Sequence, residues 1–473
     1  MSAHLKFQVL LAGCSLTRNA ALMLCMLLAG ADSLADVMTD PLSTESRLKS
    51  PAPCAEKQND RAFDLVDIVN TALCNNPQTR EVWANSRAQA AQVGIAEGGY
   101  LPGASVSVSQ NQSTPGNKLR SLGLSVSYLL YDFGARSANL ENARQLLISV
   151  SATQDNTVQA VFLAAVQAYY QTRSTLAAFD ASVVSEQAAL ASLKVAEARY
   201  QSGSTTPADK LTAQTAYSQA TLNRITAQGA MKIAQGSLAN ILGLDANLAI
   251  KLAPGRVSLD SGQDKFSELE QNVVALIETA RKNRPDLLAA EAAVKAAQAA
   301  ADAARAAGMP TLSMTAAANQ NNTAGLNTHG SSLGLAVSVP LFSGFSPTYR
   351  IRAADAQVDT KKAQMDRIRL QVALDVWNAY QNLATASQNR HTTRDLLSSA
   401  EQSERVASGR YRAGAGTMLD LLNAQTILAG ARQQRIQADL NWNISRATLA
   451  QAMGSLDAQL LTSLPDATTS FKP

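Results

Sequence analysis

One long stretch of this chain occurs twice, and that duplication limits what the chain can fold into more than any other feature. Arg199-Tyr200-Gln201-Ser202-Gly203 returns as Arg410-Tyr411-Arg412-Ala413-Gly414, an offset of 411 − 200 = 211. The offset holds upstream, where Ala168-Tyr169 falls on Ala379-Tyr380, and downstream, where Leu242-Gly243 falls on Met453-Gly454. Nearer the N-terminus, Asn76-Pro77 through Leu101-Pro102 matches Arg284-Pro285 through Met309-Pro310 at an offset of 208. The register therefore slips by three residues between Pro102 and Tyr200. A unit of about 200 residues is too long for a solenoid repeat, so each copy reads as half of a duplicated domain.

The start of the chain carries its own signal. Arg18 precedes the apolar run Ala20 to Gly30, and Ser33-Leu34-Ala35 offers small residues at a cleavage site. Residues 1–35 therefore read as a secretory signal peptide. Leu11-Ala12-Gly13-Cys14 also resembles a lipoprotein box, the competing reading of the same leader. No other apolar run approaches the length of a membrane helix, so any element that crosses a bilayer must be β. Cys14 and Cys25 lie in the leader, which leaves Cys54 and Cys74 as an even pair in an oxidising compartment. A disulfide between them is expected. Two lone cysteines with His329 and His391 assemble no metal site, and no cofactor motif is present. The net charge of +4 comes without any Lys/Arg run, which argues against nucleic acid as a partner.

Residues 36–62 are polar and Pro/Ser-rich and read as an extended lead-in. The first repeat covers 63–262, the second 263–460, and a tail 461–473. A helix with apolar positions Leu65, Val66, Ile68, Val69 and Ala72 is expected from Phe63, breaking near Asn76-Pro77. An Ala/Gln-rich helix follows. The period then changes: Ser105-Val106-Ser107-Val108-Ser109 and Leu122-Gly123-Leu124-Ser125-Val126 alternate strictly around Thr114-Pro115-Gly116-Asn117. Such a pattern predicts a β-hairpin over about 104–130, with a counterpart over about 311–341. From Ala135 to Tyr200 neither proline nor glycine interrupts the chain. That permits a helix on the order of 95 Å long, which outreaches any ordinary globular domain. Tip turns are expected at about 201–208, with Gly203 and Pro207, and at about 412–419, with Gly414 and Gly416. Glycine there permits the positive φ that a reversing helix needs.

Four alternating strands cannot stand alone in a bilayer, because an open sheet leaves two rows of backbone groups unpaired. Closure must come from further copies. A dimer would supply eight strands and a trimer twelve, and twelve leave an aqueous bore. The expected fold class is mainly α with membrane β: a long helical barrel, internally duplicated, plus four strands per subunit. The repeat, the helix-strand-strand-helix order, Tyr131-Asp132-Phe133-Gly134 and the duplicated Arg-Tyr-x-x-Gly turn together resemble the TolC family of outer-membrane efflux and secretion channels.

That resemblance implies a homotrimer with a twelve-stranded outer-membrane barrel that continues into a periplasmic helical barrel closed at its tip. Its implied partners are outer-membrane lipid, a periplasmic adaptor, an inner-membrane ABC transporter and an exported protein cargo. In the family, acidic residues narrow the closed aperture, and two of those positions fall on Asp420 and Asn423. The tip arginine of the family falls on Gly416 and its acidic partner on Asp209, so a differently built latch is implied. Within the family the sequence is similar to type I secretion channels, in particular the outer-membrane component of the adenylate cyclase-haemolysin exporter, a repeat toxin system. Small-molecule efflux is the alternative within the same architecture. A structural coiled-coil surface protein is the reading from another class, though it needs no matched hairpins. An enzyme fits least, since no Ser/His/Asp or paired-carboxylate arrangement stands out.

Overall fold

The computed structural model describes residues 40–48, 62–113, 117–248, 250–253, 273–323 and 326–456. The leader with Cys14, much of the lead-in including Cys54, and the C-terminal tail lie outside the described residues.

The duplication is visible element by element. In the first repeat, α1 (Leu65–Asn75) and α2 (Pro77–Gly98) lead into strands β1 (Gly103–Ser113) and β2 (Asn117–Tyr131), then helices α3 (Ala135–Gln201) and α4 (Pro207–Ile241). In the second, α5 (Val273–Asn283), α6 (Pro285–Ala306), β3 (Thr311–Thr323), β4 (Leu326–Ser338), α7 (Ser346–Arg412) and α8 (Met418–Ala452) repeat the order. Both long helices, α3 and α7, have 67 residues, about 100 Å of rise. Their turns and return helices match residue for residue. The three-residue slip is taken up inside the hairpins, because Gly103 pairs with Ser127 while Thr311 pairs with Ser338. Thr311 keeps the offset of 208 from Gly103, and Ser338 keeps 211 from Ser127.

Three differences from the sequence expectations have local causes. The α1 helix begins at Leu65 rather than Phe63, because Asp64 and Asp67 close a capping box there. Phe63 instead bridges in parallel to Leu252, donating to the Lys251 carbonyl at 2.8 Å. Strand β4 stops at Ser338, short of the expected 341, where Pro340 removes a ladder donor. Residues 40–48 of the lead-in are also more structured than expected. Asp40 accepts from Thr44 and Glu45 backbone N–H groups at 2.8 and 2.9 Å, and Arg47 forks onto Glu97 of α2 at 2.8 and 2.7 Å.

The four strands form one antiparallel sheet in the order β1-β2-β3-β4, so β1 and β4 are its free edges. Cross-strand pairs sort the faces. Val106 opposite Leu124, Val126 opposite Ala316 and Met314 opposite Leu335 make one face apolar. The other face pairs Ser105 with Ser125 and Ser109 with Ser121 through hydroxyl contacts of 2.8 and 2.6 Å. Large side chains of the apolar face, Val106, Val108, Leu333 and Leu335 among them, are exposed in the single chain. At the foot of the sheet, exposed aromatic pairs Tyr131–Phe133 and Phe342–Phe345 stack edge to face at 4.8 and 5.5 Å. An exposed apolar band above an aromatic foot is the surface that a bilayer covers. Among the described residues, no helix is long and apolar enough to cross a membrane.

Below the sheet the helices meet through small side chains. Ala292, Ala296 and Ala299 of α6 are buried, and α6 packs along α3. Asn142 and Ser149 of α3 donate to the Ala296 and Ala289 carbonyls at 2.7 and 2.9 Å, which the small residues leave reachable. The larger core lies midway, where Ile68 and Val69 of α1, Phe162, Val166, Tyr169 and Tyr170 of α3 and Leu238 of α4 are buried together. Cys74, also buried, is disulfide-bonded. With Cys54 as its proposed partner, native mature protein should show negligible labelling by a maleimide until it is reduced. Stoichiometric labelling without reductant would refute the pairing.

Candidate functional site: the paired helix turns

At the far end from the sheet each long helix reverses over five residues. Both α3 and α7 end in the same closure, set by a glycine one residue past the C-caps Ser202 and Ala413. Gly203 has φ +72 and Gly414 φ +78, with Gly203 N–H donating to the Tyr200 carbonyl at 3.0 Å and Gly414 N–H to the Tyr411 carbonyl at 3.1 Å. No atom lies within 4 Å of a side chain built on either glycine, so they serve the turn and not a close approach. Pro207 starts α4, where a missing N–H costs nothing. Gly416 stands against Arg410 just before α8: a Cβ at this position would lie 3.2 Å from the Arg410 Cβ.

The acidic residues are placed by the helix starts. Asp420, the third residue of α8, closes a capping box with Thr417: its carboxylate accepts from Thr417 N–H at 3.2 Å, and the Thr417 hydroxyl accepts from Asp420 N–H at 3.1 Å. Hydrogen bonding by the Thr417 side chain, then its backbone, holds the Asp420 carboxyl below its usual range. It remains exposed, as does Asn423 one turn on. Asp209 occupies the matching position of α4 and accepts from the Thr205 hydroxyl. Among the described residues of the single chain Asp209 forms no ion pair.

Another residue joins the turns. Arg199, near the end of α3, lays its guanidinium over the Tyr411 ring at 4.4 Å and donates to the Tyr411 carbonyl at 2.7 Å and the Arg412 carbonyl at 3.3 Å. One planar fork thus ties the first turn to the second. Beneath it Tyr411, Met418, Leu421 and Leu422 are buried with Ala196 and Ala213. A little further up, Gln425 of α8 donates to the Ser192 hydroxyl of α3 at 3.1 Å. Burial raises the Tyr411 phenol above its usual value, so the ring stays neutral. The equivalent Tyr200 is not buried: 42% of it is exposed, against 4% for Tyr411. The sequence expectation rests the turns on Gly203, Pro207, Gly414 and Gly416 and gives Arg199 no role. The signal was there in that both motifs open on arginine.

Both repeats match one family, described as outer membrane efflux protein, over residues 68–244 and 276–455. The chain belongs to that family. It is an outer-membrane channel protein with a periplasmic extension. Among relatives of the family, Protein CyaE of Bordetella pertussis is 31% identical over 416 residues, covering 85% of this chain and 86% of CyaE. The outer membrane efflux protein BepC of Brucella suis is 25% identical over 84% of this chain and 86% of BepC. The solved outer membrane protein VceC of Vibrio cholerae superposes with a TM-score of 0.70 at 17% identity, covering 83% of this chain and 97% of VceC. The family fold is therefore the one built above, helical barrel and partial β-barrel together.

Proposed function

We propose that this protein is the outer-membrane conduit of a type I secretion system, working as a homotrimer with a periplasmic adaptor and an inner-membrane ABC transporter. The observation that carries the conduit is the four-stranded sheet with an apolar face, a small polar face and two unpaired edges. Three copies joined edge to edge make twelve strands around water. The likeness to CyaE across 85% of the chain favours protein export, with a repeat toxin such as adenylate cyclase-haemolysin as the class of cargo. No phosphate-binding Gly-x-x-x-x-Gly-Lys loop is present in the sequence, which fits energy supplied by a partner. BepC supports small-molecule efflux as the second reading.

Deleting the chain from its host separates the two. Loss of the repeat toxin from the medium with unchanged drug tolerance supports secretion, and in the intact host the ABC transporter and adaptor should co-purify with the protein while cargo is in transit. Unchanged secretion with raised drug sensitivity would overturn it in favour of efflux.

Asp420 is proposed to stand in the narrow part of the pore. Three carboxylates around a water-filled constriction attract cations. Asp420→Asn keeps an acceptor for the helix cap and removes the charge. It should lower cation-over-anion permeability in planar bilayers several-fold and leave assembly intact. Unchanged ion preference would remove Asp420 from the constriction.

A further inference from the structure

The clamp that Arg199 makes within one chain has a second set of parts, and in the single chain that set is unused. The offset of 211 carries each residue of the observed seam onto another: Arg199 onto Arg410, Tyr411 onto Tyr200, Ser192 onto Ser403, Gln425 onto Gln214 and Leu422 onto Leu211. The chemistry is kept at all five positions. The environment is not, since Leu422 is 9% exposed and Leu211 is 61% exposed, while Ser403, Gln214 and Arg410 all lie on the surface.

The backbone is prepared in the same way. The Tyr411 carbonyl accepts both the turn's own Gly414 N–H and Arg199, using both lone pairs. The Tyr200 carbonyl accepts Gly203 N–H in the matching turn. The corresponding second acceptance, from an arginine, is not made among the described residues of the chain. Among the described residues Arg410 donates to the Ala415 carbonyl of its own turn, at 3.3 Å, and its charge acts on Asp420. Near the Tyr200 ring stands Lys210, at 5.7 Å, itself paired with Glu197 at 3.8 Å.

A chain built of two like halves that closes into a ring with its copies makes two kinds of seam, one inside each chain and one between chains. Here α3 against α8 is the inner seam. Its repeat-related counterpart sets α7 of one copy against α4 of the next. We infer that Arg410 is the clamp between subunits: it lies over the ring of Tyr200 of the partner subunit and donates to that turn's carbonyls, with Ser403 and Leu211 closing the seam beside it. The occupant is a second copy of this chain, and the inference rests on the proposed ring. The between-chain seam is the less apolar of the two, because Lys210 takes the place of Leu421 and Pro207 that of Met418.

The test is a photo-crosslink in the full-length protein in detergent. With p-benzoylphenylalanine in place of Tyr200, irradiation should give SDS-stable dimers and trimers. In a mixture of isotopically light and heavy subunits, the joined peptides should pair position 200 of one copy with the segment around Arg410 of another. Arg410→Ala should cut that yield and raise the resting conductance in planar bilayers about tenfold, with Arg410→Lys between the two because it keeps charge and loses the fork. Crosslinks confined to one chain, or landing away from the α7 end, would overturn the inference, as would unchanged yield and conductance in Arg410→Ala. A trimer that forms without this crosslink sinks the clamp and leaves the channel reading standing. Protein that forms no trimer sinks both.

Discussion

Gly243→Ala is expected to destabilise the protein by about 2–4 kcal/mol. Gly243 ends α4 at φ +70, a left-handed conformation that costs a non-glycine residue about 1–2 kcal/mol. A Cβ there would also sit 2.6 Å from the Asn75 carbonyl oxygen at the break between α1 and α2, where backbone has no easy way to yield. Overpacking of that kind adds about 1–3 kcal/mol. The repeat preserves the close approach, for a Cβ on Gly454, at φ +71, would meet Asn283 at 2.9 Å. Gly203→Ala is the matched control: its φ is nearly the same, but no neighbour lies within 4 Å. Thermal unfolding at one protein concentration should therefore show a clearly larger loss of Tm for Gly243→Ala than for Gly203→Ala. Equal losses would mean that the close approach to Asn75 does not matter.

Arg199→Ala is expected to open the tip. The substitution removes a charged hydrogen bond to a carbonyl and a ring contact. At a partly exposed position these together are worth about 1.5–3 kcal/mol, a shift of about tenfold to a hundredfold in the local closed-to-open balance. It also uncovers Tyr411, which is buried. Resting conductance and proteolysis at the turns should both rise, while far-UV helix content stays unchanged, because α3 is anchored far above the turn by the core around Tyr169 and Tyr170, and α7 by a second core around Val372 and Val376. Arg199→Lys separates charge from shape. A lysine cannot cover the ring and fork two carbonyls at once, so it should recover only part of the closure. If Arg199→Ala leaves conductance and proteolysis at the level of the unaltered protein, the clamp contributes nothing to closure.

The architecture was legible in the sequence because it depends on pattern. Alternation at Ser105 to Ser109, the uninterrupted run from Ala135 to Tyr200, and the glycines at 203 and 414 each have one physical reading, and duplication confirmed each of them. The register of the hairpins was also there in the change of offset from 208 to 211. The tip was less legible. That Tyr411 is buried while Tyr200 stands exposed cannot be read from two identical motifs, since it depends on which helix of the same chain lies alongside. Asp420 was singled out by its place in the family motif, and the capping box with Thr417 gives it a second, purely local task. Asp209 shows the limit of carrying a latch across by position: its expected partner is a glycine here, Gly416, and the arginine that ties the turns together stands in the other repeat, at Arg199, six residues before Thr205, the counterpart of Gly416.

The two free edges of the β1-β2-β3-β4 sheet have a genetic consequence. A copy whose β4 edge cannot pair still offers a sound β1 edge, so it enters a ring and leaves it unsealed. When sound and edge-damaged copies are made in equal amounts, only about one ring in eight is free of a damaged member. Edge mutations in this gene should therefore be dominant, and a null allele recessive.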